Sequence, residues 1–531
     1  MKDAQVINLG GLLSRTARLF PDHDAVIQGD QRWTWNQIDL RVSAMATALS
    51  KLGLKKGDRI LAQSRNTLQL FESCWVAFRM GCVWVPVNFR LTPPEVAYLG
   101  SSSGSVAMIY EEGFEEHVDG VCKASNTLEH VICIGGGRDG EYSYDLLVKN
   151  YLGESRQEVV VDYDDPLWFF YTSGTTGRPK AGVLTHGQMA FVVNNHLADL
   201  IPGTTEKDCS IVVAPLSHGA GVHMLLNVAR GAPLVLPSEG KFDPEVFWNL
   251  VEKHRVSNLF TVPTIVKMLV EHESVDRYDH SSLRYMIYAG APMYRADQKL
   301  ALEKLGMVMV QYYGMGEVTG CIAYQPREMH AVDDEDPNAN IGSCGIPRTG
   351  MEVAIFDEDM NRLNPGEVGE ICCRGQAVCA GYYNNSEATA EAFRGGWFHT
   401  GDLGRMDERG LIYITGRSSD MYISGGANVY PREVEEVLLT HPGVNEAVVL
   451  GVPDEKWGES GVAVIVRREK VRPVDDEELF QHLEGRCARY RWPQKFFFWD
   501  SLPRSGYGKI VKKDIRSTLI EKGLIEKPSS S

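Results

Sequence analysis

The feature that most restricts the fold is an alternation of helix and strand signals that runs to about residue 350. Residues 34–37, Thr-Trp-Asn-Gln, have the spacing of a helix capping box, and apolar residues at helical spacing follow from Ile38 to Leu52. Gly53 offers a stop, and residues 59–62 then have the composition of a short strand. Such an alternation predicts an α/β fold with largely parallel sheets.

The pattern changes after about residue 350. Residues 351–356, 369–373 and 411–414 are short strand-like runs separated by Gly, Pro and Asn, which predicts a small β-rich unit. A break at residues 416–420 precedes a compact α+β pattern, in which Pro431 is placed to begin a helix. The chain therefore divides into a long α/β part, a β-rich part and a small C-terminal α+β part.

Composition and charge exclude several functions. The net charge of −16 over 531 residues argues against nucleic acid as a partner. No apolar stretch approaches the ~18 residues of a membrane helix, and residues 1–20 show no signal peptide, so we expect no membrane span. The eleven cysteines lack zinc or disulfide spacing, which predicts reduced thiols and a cytoplasmic location.

The strongest motif is the segment 171–180, Tyr-Thr-Ser-Gly-Thr-Thr-Gly-Arg-Pro-Lys, which directly follows a strand-like run. Gly174 and Gly177 allow tight turns and a close approach of the backbone to a ligand. Successive N–H groups can bind an anion, and further polar groups come from Thr172, Ser173, Thr175, Thr176 and Lys180. The segment suits a polyphosphate, although its spacing is not that of a Walker A loop.

This segment resembles the signature loop of the adenylate-forming (AMP-binding) superfamily, which includes acyl-CoA synthetases, luciferases and peptide-synthetase adenylation domains. The resemblance extends from about residue 10 to about residue 515, and it implies the acyl-CoA synthetase (carboxylate–CoA ligase) branch. In this family the loop holds the β- and γ-phosphates of ATP. The resemblance also implies an N-terminal domain, 1–418, of two α/β subdomains and a β-rich subdomain at about 350–418, with a small mobile α+β domain, 419–531.

Two further segments resemble the ATP site of this family. The segment 288–292 looks like the adenine-binding turn, which assigns Gly290, Ala291 and Pro292 to ATP. The segment 311–317 matches the stretch that contacts adenine, the α-phosphate and magnesium, which assigns Tyr312, Tyr313, Gly314 and Met315 to ATP. Within it Tyr313 has a ring that can stack on the base.

Magnesium is the expected cofactor; Glu317 offers it a hard oxygen ligand, and Thr172 is the second predicted ligand. Gly316 departs from the family, which commonly has a Thr whose hydroxyl contacts the α-phosphate. The loss of one hydrogen bond, worth ~1 kcal/mol, predicts weakened rather than abolished adenylation.

The acyl site is expected near residues 215–219, Pro-Leu-Ser-His-Gly. By resemblance His218 orients the carboxylate, and with Glu317 and Lys509 it completes the predicted catalytic set. The predicted pocket walls are mostly small or apolar: His218, Gly219, Val222, Tyr288 and Val318. They show no arginine for a second carboxylate, which favours a medium-chain fatty or aromatic monocarboxylic acid.

The ribose site and the hinge come next along the chain. By resemblance Asp402 accepts the two ribose hydroxyls and Arg417 also reaches the ribose. A hinge at Ser419 and Asp420 is expected to let the C-terminal domain rotate between two half-reactions, although the family usually has Asp or Lys where Ser419 stands.

Coenzyme A is the expected second substrate. Ser424, Gly425 and Gly426 resemble the segment that lines the pantetheine tunnel, and Trp457 resembles a residue near the CoA nucleotide. Lys509 is assigned to bridging the acid and the α-phosphate during adenylation, although Tyr507 replaces the usual Thr nearby.

The implied reaction joins the acid to AMP with release of pyrophosphate and then transfers the acyl group to the CoA thiol. Two alternatives remain at this level: an adenylate-forming enzyme whose acceptor is a carrier protein, and a nucleotide-binding relative that has lost catalysis. Dimers are common in the family, so a homodimer is compatible with the resemblance. Binding of ATP without release of pyrophosphate would distinguish the second alternative.

Overall fold

The structure is a computed structural model that describes residues 6–172, 178–237, 242–291, 293–424, 427–454, 456–468, 471–504 and 510–526. No helix in these ranges is long and apolar enough to cross a membrane.

The first sheet has seven strands and is parallel except for one edge strand. In sheet order the strands are Tyr142–Ser143, His130–Ile134, Ala107–Glu111, Arg59–Gln63, Val83–Val87, Pro166–Thr172 and Lys180–Thr185. The last two are antiparallel, and the loop that joins them contains the Ser/Thr/Gly motif. The sheet therefore presents this motif at the carboxyl end of Pro166–Thr172, the usual ligand side of a parallel sheet.

The second sheet has nine strands, of which the central six are parallel and the edges antiparallel. In sheet order they are Ile346–Pro347, Ala323–Gln325, Met309–Tyr313, Tyr285–Tyr288, Asn258–Thr261, Ser210–Val212, Leu234–Leu236, Asp24–Gln28 and Gln31–Thr34. Side chains on its two faces enter different apolar clusters, since Ile287 packs in one and Met286 in the other.

Helices connect and cover these strands. The α-helices are Gly10–Leu19, Trp35–Lys51, Leu68–Met80, Pro93–Ser103, Glu115–Ala124, Tyr144–Tyr151, His186–Asp199, Gly219–Arg230, Pro244–His254, Pro263–Glu271, Arg295–Leu305, Ser386–Ala392, Pro431–Leu439, Asp476–Leu483 and Lys512–Glu521. Short 3-10 turns are Glu273–Asp276, Gly316–Val318, Arg327–Met329, Arg394–Gly396 and Arg489–Arg491. The capping box predicted at Thr34 is present, and Trp35–Lys51 buries its apolar stripe, which confirms both predictions.

The rest of the chain forms two smaller sheets. Four antiparallel strands follow in order, Met351–Phe356, Gly369–Gly375, Phe398–Met406 and Ile412–Arg417. The C-terminal sheet contains Ala427–Val429, Tyr422–Ser424, Gly458–Arg467 and Val444–Asp454, with Lys495–Trp499 parallel to Gly458–Arg467. The α/β class with a β-rich part and a small α+β part is confirmed, while the boundary at residue 418 stays a prediction.

Candidate active site

The strand Pro166–Thr172 supplies the first side of the site. Successive side chains of a strand point to opposite faces, so Phe170 and Thr172 share one face and Phe169 lies on the other. The Thr172 hydroxyl donates a 2.7 Å hydrogen bond to Oε1 of Glu317, which is 145 residues away in the chain. The predicted phosphate-binding residues Ser173, Gly174, Thr175, Thr176 and Gly177 lie outside the described residues.

Glu317 is buried at the start of a 3-10 turn. Its Oε1 also accepts a 3.0 Å hydrogen bond from the hydroxyl of Tyr382, and within the described part of the chain Oε2 accepts none. Burial and then the negative charge of Glu317 raise the pKa of Tyr382. A carboxylate oriented by two hydroxyl donors, one of them that of Thr172, offers the hard oxygen atoms that Mg²⁺ prefers.

Tyr382 was not predicted from the sequence. Its hydroxyl contacts Glu317 while Nζ of Lys180 lies 5.3 Å from its ring centroid. This one side chain therefore links the predicted magnesium ligand to the predicted phosphate-binding cation. The sequence near Tyr382, Ala-Gly-Tyr-Tyr-Asn, carries no pattern that would indicate such a role.

Tyr313, Asp402 and Arg417 form the second part of the site. The Tyr313 hydroxyl donates a 2.8 Å hydrogen bond to Oδ2 of Asp402, and Nε of Arg417 lies 3.1 Å from Oδ1. Asp402 and Arg417 are opposite each other on adjacent antiparallel strands, which fixes their separation. Burial and then the charge of Asp402 raise the pKa of Tyr313, so the phenol remains a donor. The structure thus joins three residues that the sequence assigned separately to the nucleoside.

A hydrogen-bonded network supports the turn before Asp402. Oε1 of Glu370 accepts the Gly401 N–H at 3.0 Å, and its Oε2 lies 2.7 Å from Nδ1 of His399. Arg394 adds a 2.8 Å ion pair to the same carboxylate. Cys372, with Glu370 and His399, forms a group of the kind that can bind a metal ion. The guanidinium of Arg394, however, already balances the charge of Glu370. We interpret the network as structural support.

The predicted adenine turn lies at the end of the strand Tyr285–Tyr288. Gly290 has φ +84°, a conformation that favours glycine, and both Gly290 and Ala291 are exposed. Pro292 lies outside the described residues. Exposed backbone at the carboxyl end of a parallel strand is compatible with the predicted contact to a base.

Tyr288 requires a correction. It was expected in the acyl pocket wall, but its side chain points to the opposite face of the sheet from Ile287 and packs with Met286. Its hydroxyl is bonded there to Gln311 at 2.9 Å and to Gln298 at 3.0 Å. Because parallel strands are buried on both faces, the sequence pattern did not indicate which face each residue occupies.

The other predicted pocket residues lie together on the face that carries Ile287. Val222 and Val318 are buried in the same cluster as Tyr312, and a Cβ on Gly219 would lie 2.6 Å from the ring of Phe260. The rings of Phe260 and Tyr312 stack with centroids 5.6 Å apart. Phe260, which sequence reasoning missed, therefore lies between Tyr312 and the predicted pocket residue Gly219.

His218 stands at the N-terminus of the helix Gly219–Arg230, and its ring centroid is 4.6 Å from that of Phe170. Only glycine fits at position 314, because a Cβ there would lie 2.2 Å from the carbonyl oxygen of Gly320. The next residue, Met315, has extended backbone and is half-buried. The imidazole of His218 therefore lies against the ring of Phe170 at the start of a helix.

The hinge and CoA residues lie in the C-terminal part. Ser419 is exposed, whereas Asp420 forms a 3.4 Å ion pair with Lys512, which also contacts Glu435 at 3.1 Å. Burial alone would lower the pKa of Lys512, but these two carboxylates outweigh it and raise that pKa. The hinge itself stays a prediction.

Two segments predicted to bind CoA come together, because Ser424 pairs with Gly458 in the C-terminal sheet, next to the half-exposed Trp457. Gly425, Gly426 and the predicted catalytic Lys509 lie outside the described residues. Their roles and that of Trp457 remain predictions from the resemblance.

Comparisons with known proteins identify the family of this chain. The family model described as AMP-binding enzyme matches residues 13–383, and its C-terminal domain model matches residues 433–509. A feruloyl-CoA synthase from an Amycolatopsis species is 35% identical over 516 residues, covering 96% of this chain and 98% of the relative. The long-chain-fatty-acid–CoA ligase FadD13 from Mycobacterium tuberculosis is 32% identical over 514 residues, covering 96% and 98%.

Among solved structures, an amide bond synthetase from Marinactinospora thermotolerans has a TM-score of 0.85 at 26% identity, covering 96% of this chain and 99% of that one. The fold and the arrangement of the site define an adenylate-forming enzyme. The chain belongs to the AMP-binding enzyme family, in its acyl-CoA synthetase branch, and the predicted enzyme class of carboxylate–CoA ligase is confirmed.

Proposed function

We propose that this protein uses Mg·ATP to convert a monocarboxylic acid with an apolar body, medium-chain or aromatic, into its acyl-adenylate and then into its CoA thioester. The observation that carries the proposal is the 2.7 Å contact between Thr172 and Glu317. This contact joins the strand Pro166–Thr172, which leads into the polyphosphate motif, to the segment 311–317, which we place beside the acyl pocket. ATP and the acid can therefore meet at one place.

The first half-reaction needs an anion to approach another anion. One carboxylate oxygen of the acid attacks the α-phosphorus, the bond to the bridging oxygen breaks, and pyrophosphate leaves. Magnesium at Glu317 and Thr172 would neutralise charge on the phosphates. His218 is placed to orient the carboxylate, and Asp402, with Tyr313 and Arg417, to hold the ribose.

The second half-reaction transfers the acyl group. The CoA thiol releases its proton to solvent, its sulfur attacks the acyl carbon, the bond to the phosphate oxygen breaks, and AMP leaves with its electron pair. Ser424 lies on the C-terminal sheet and Trp457 in the turn before the strand Gly458–Arg467, so their approach to the adenylate requires the predicted rotation about Ser419 and Asp420. Lys509 is assigned to the first half-reaction only.

The substrate class is supported by the pocket and by the relatives. Phe260, Val222 and Val318 are buried apolar side chains of one cluster, and we assign them to the wall of the acyl pocket with His218 as its polar group. The names of two relatives refer to an aromatic acid and to long-chain fatty acids, both with apolar bodies. Apolar walls with one polar group at the mouth favour acids whose only charge is the reacting carboxylate.

Location and assembly are also proposals. All eleven cysteines fall within the described residues and are unpaired thiols, which supports a reducing compartment such as the cytoplasm. A homodimer is compatible with the resemblance, and light scattering on the purified protein would test it.

The deciding experiment measures pyrophosphate release with Mg·ATP and a panel of acids, each with and without CoA, together with mass spectrometry of the products. Turnover that depends on one acid and on CoA, with formation of the thioester, supports the proposal. Release without need for CoA would indicate another acceptor, such as a carrier protein or an amine. ATP binding without release for any acid would support the non-catalytic alternative.

A further inference from the structure

Position 316 requires glycine because neighbouring atoms leave no room for a side chain, and not because of its backbone conformation. It does not belong to the glycines with positive φ, so its backbone is accessible to other residues. A Cβ at this position would lie 2.4 Å and 2.5 Å from Cδ1 and Cε1 of Phe170, and 2.9 Å from Cγ2 of Thr172. Any side chain at position 316 would therefore overlap the ring of Phe170.

The ring of Phe170 is held in place from two sides. Its centroid is 4.6 Å from that of His218, with 36° between the ring planes, and 5.6 Å from that of Trp168. Phe170 is 6% exposed and lies on a strand paired with a neighbour on each side. A side chain fixed in this way cannot leave the space beside Gly316 without losing contacts to both neighbours.

Phe170 thus lies between the two halves of the reaction site. On one side it contacts His218, which the proposed function assigns to the acid. On the other side it occupies the space beside Gly316, next to the Thr172–Glu317 contact assigned to the phosphates and magnesium. An apolar ring in this position excludes water from the place where the carboxylate must meet the α-phosphate.

We propose that Phe170 is a positioning residue for acid activation: its ring takes the volume of the side chain that is absent at position 316 and fixes the imidazole of His218. The proposal rests on the proposed function for its kinetic part. Phe170 and Gly316 are then one interdependent pair, and Gly316 is an adaptation of an active site rather than a mark of lost catalysis.

The first test is a cycle of four proteins: the parent, Phe170→Ala, Gly316→Ala and the double variant. We expect Gly316→Ala to lower acid-dependent pyrophosphate release at least tenfold in the parent and less than threefold when residue 170 is Ala. Phe170→Ala should raise the KM for the acid more than the KM for ATP. Effects that simply multiply in the double variant would overturn the pairing.

The second test asks whether Phe170 acts through His218. Phe170→Ala is combined with His218→Ala, and the KM for the acid is compared across that cycle. Once the imidazole is absent, removal of the ring should change this KM less than twofold. An undiminished effect of Phe170→Ala without His218 would overturn the positioning role.

A matched control is available on the same strand. Phe169 is equally buried but faces the other side, where its ring centroid lies 4.5 Å from that of Tyr383. Phe169→Ala should lower thermal stability and should show no coupling to Gly316→Ala in pyrophosphate release. Coupling of the same size for Phe169 and Phe170 would contradict a local contact.

Failure of this proposal can be distinguished from failure of the proposed function. If no acid supports pyrophosphate release by the parent protein, the proposed function fails and the kinetic role of Phe170 fails with it. The four proteins of the first cycle are also unfolded in urea, where the overlap at Gly316 predicts a destabilisation that Phe170→Ala relieves. Additive effects on unfolding overturn the packing argument regardless of activity.

Discussion

The replacement Tyr382→Phe tests the link between the predicted magnesium ligand and the predicted phosphate-binding cation. It removes the hydroxyl that donates the 3.0 Å hydrogen bond to Glu317 and keeps the ring that lies 5.3 Å from Nζ of Lys180. A hydrogen bond to a charged acceptor contributes about 1.5–3 kcal/mol. Because Tyr382 is half-buried, the lower end of this range applies, which corresponds to about a tenfold effect on a rate.

The assay is pyrophosphate release at saturating acid, with Mg·ATP and free Mg²⁺ varied separately. We expect kcat/KM for Mg·ATP to fall about tenfold and the Mg²⁺ concentration for half-maximal rate to rise, because Oε1 of Glu317 loses one of its two hydroxyl donors. The KM for the acid should change little, since the replacement keeps the ring and removes only the hydroxyl that is bonded to Glu317.

Tyr413→Phe is a closely matched control. The Tyr413 hydroxyl also donates to a carboxylate, Asp407, at 3.2 Å, and the guanidinium of Arg405 lies 4.1 Å from the ring centroid. Tyr413 belongs to the four-stranded sheet, and the partners of its hydroxyl and ring, Asp407 and Arg405, are not predicted ligands of ATP. Equal effects of the two replacements on the Mg²⁺ dependence, or no effect of Tyr382→Phe, would refute the reasoning.

Three further predictions follow from packing and charge. Gly314→Ala should lower the free energy of unfolding, measured by urea titration, by about 1–3 kcal/mol and abolish most pyrophosphate release, because the added Cβ overlaps backbone atoms. As a control, Gly11→Ala should be neutral or stabilising in the same titration, because a Cβ there meets nothing within 4 Å. Lys512→Met should lower stability and change the ratio of thioester formation to adenylation, because Asp420 loses its ion pair. As a control, replacement of the exposed neighbour by Lys513→Met should change neither quantity. An unchanged ratio in Lys512→Met would argue against a hinge at Asp420. Burial lowers the pKa from 6.5 to about 4 for three histidines, His186, His223 and His330. Because the unfolded chain binds these protons at higher pH, stability is full above pH 6.5 and decreases as the pH falls toward 4, by about 2 kcal/mol for each histidine at pH 5. Urea titrations at pH 7.5 and pH 5 measure this loss of stability. His223→Gln should make the difference in the free energy of unfolding between the two pH values smaller.

Much of the local structure follows from the sequence. The capping box at Thr34, the helix that begins at Pro431 and the strand Arg59–Gln63 depend on neighbouring residues, and each was predicted correctly. The order of motifs was equally readable, because a family resemblance is carried by short contiguous segments. The family and the enzyme class could therefore be predicted from the amino-acid sequence alone.

What the sequence could not determine is which distant side chains meet. Tyr382 is 65 residues from Glu317 and Phe170 is 48 from His218, and no local pattern relates either pair. Tyr288 was placed on the wrong face because its strand is buried on both sides and alternation carries no information there. The sequence by itself determined the elements, the motifs and the class of reaction. Only the tertiary structure decided which residues support Glu317 and His218, because those contacts arise from the packing of two sheets and their connecting loops.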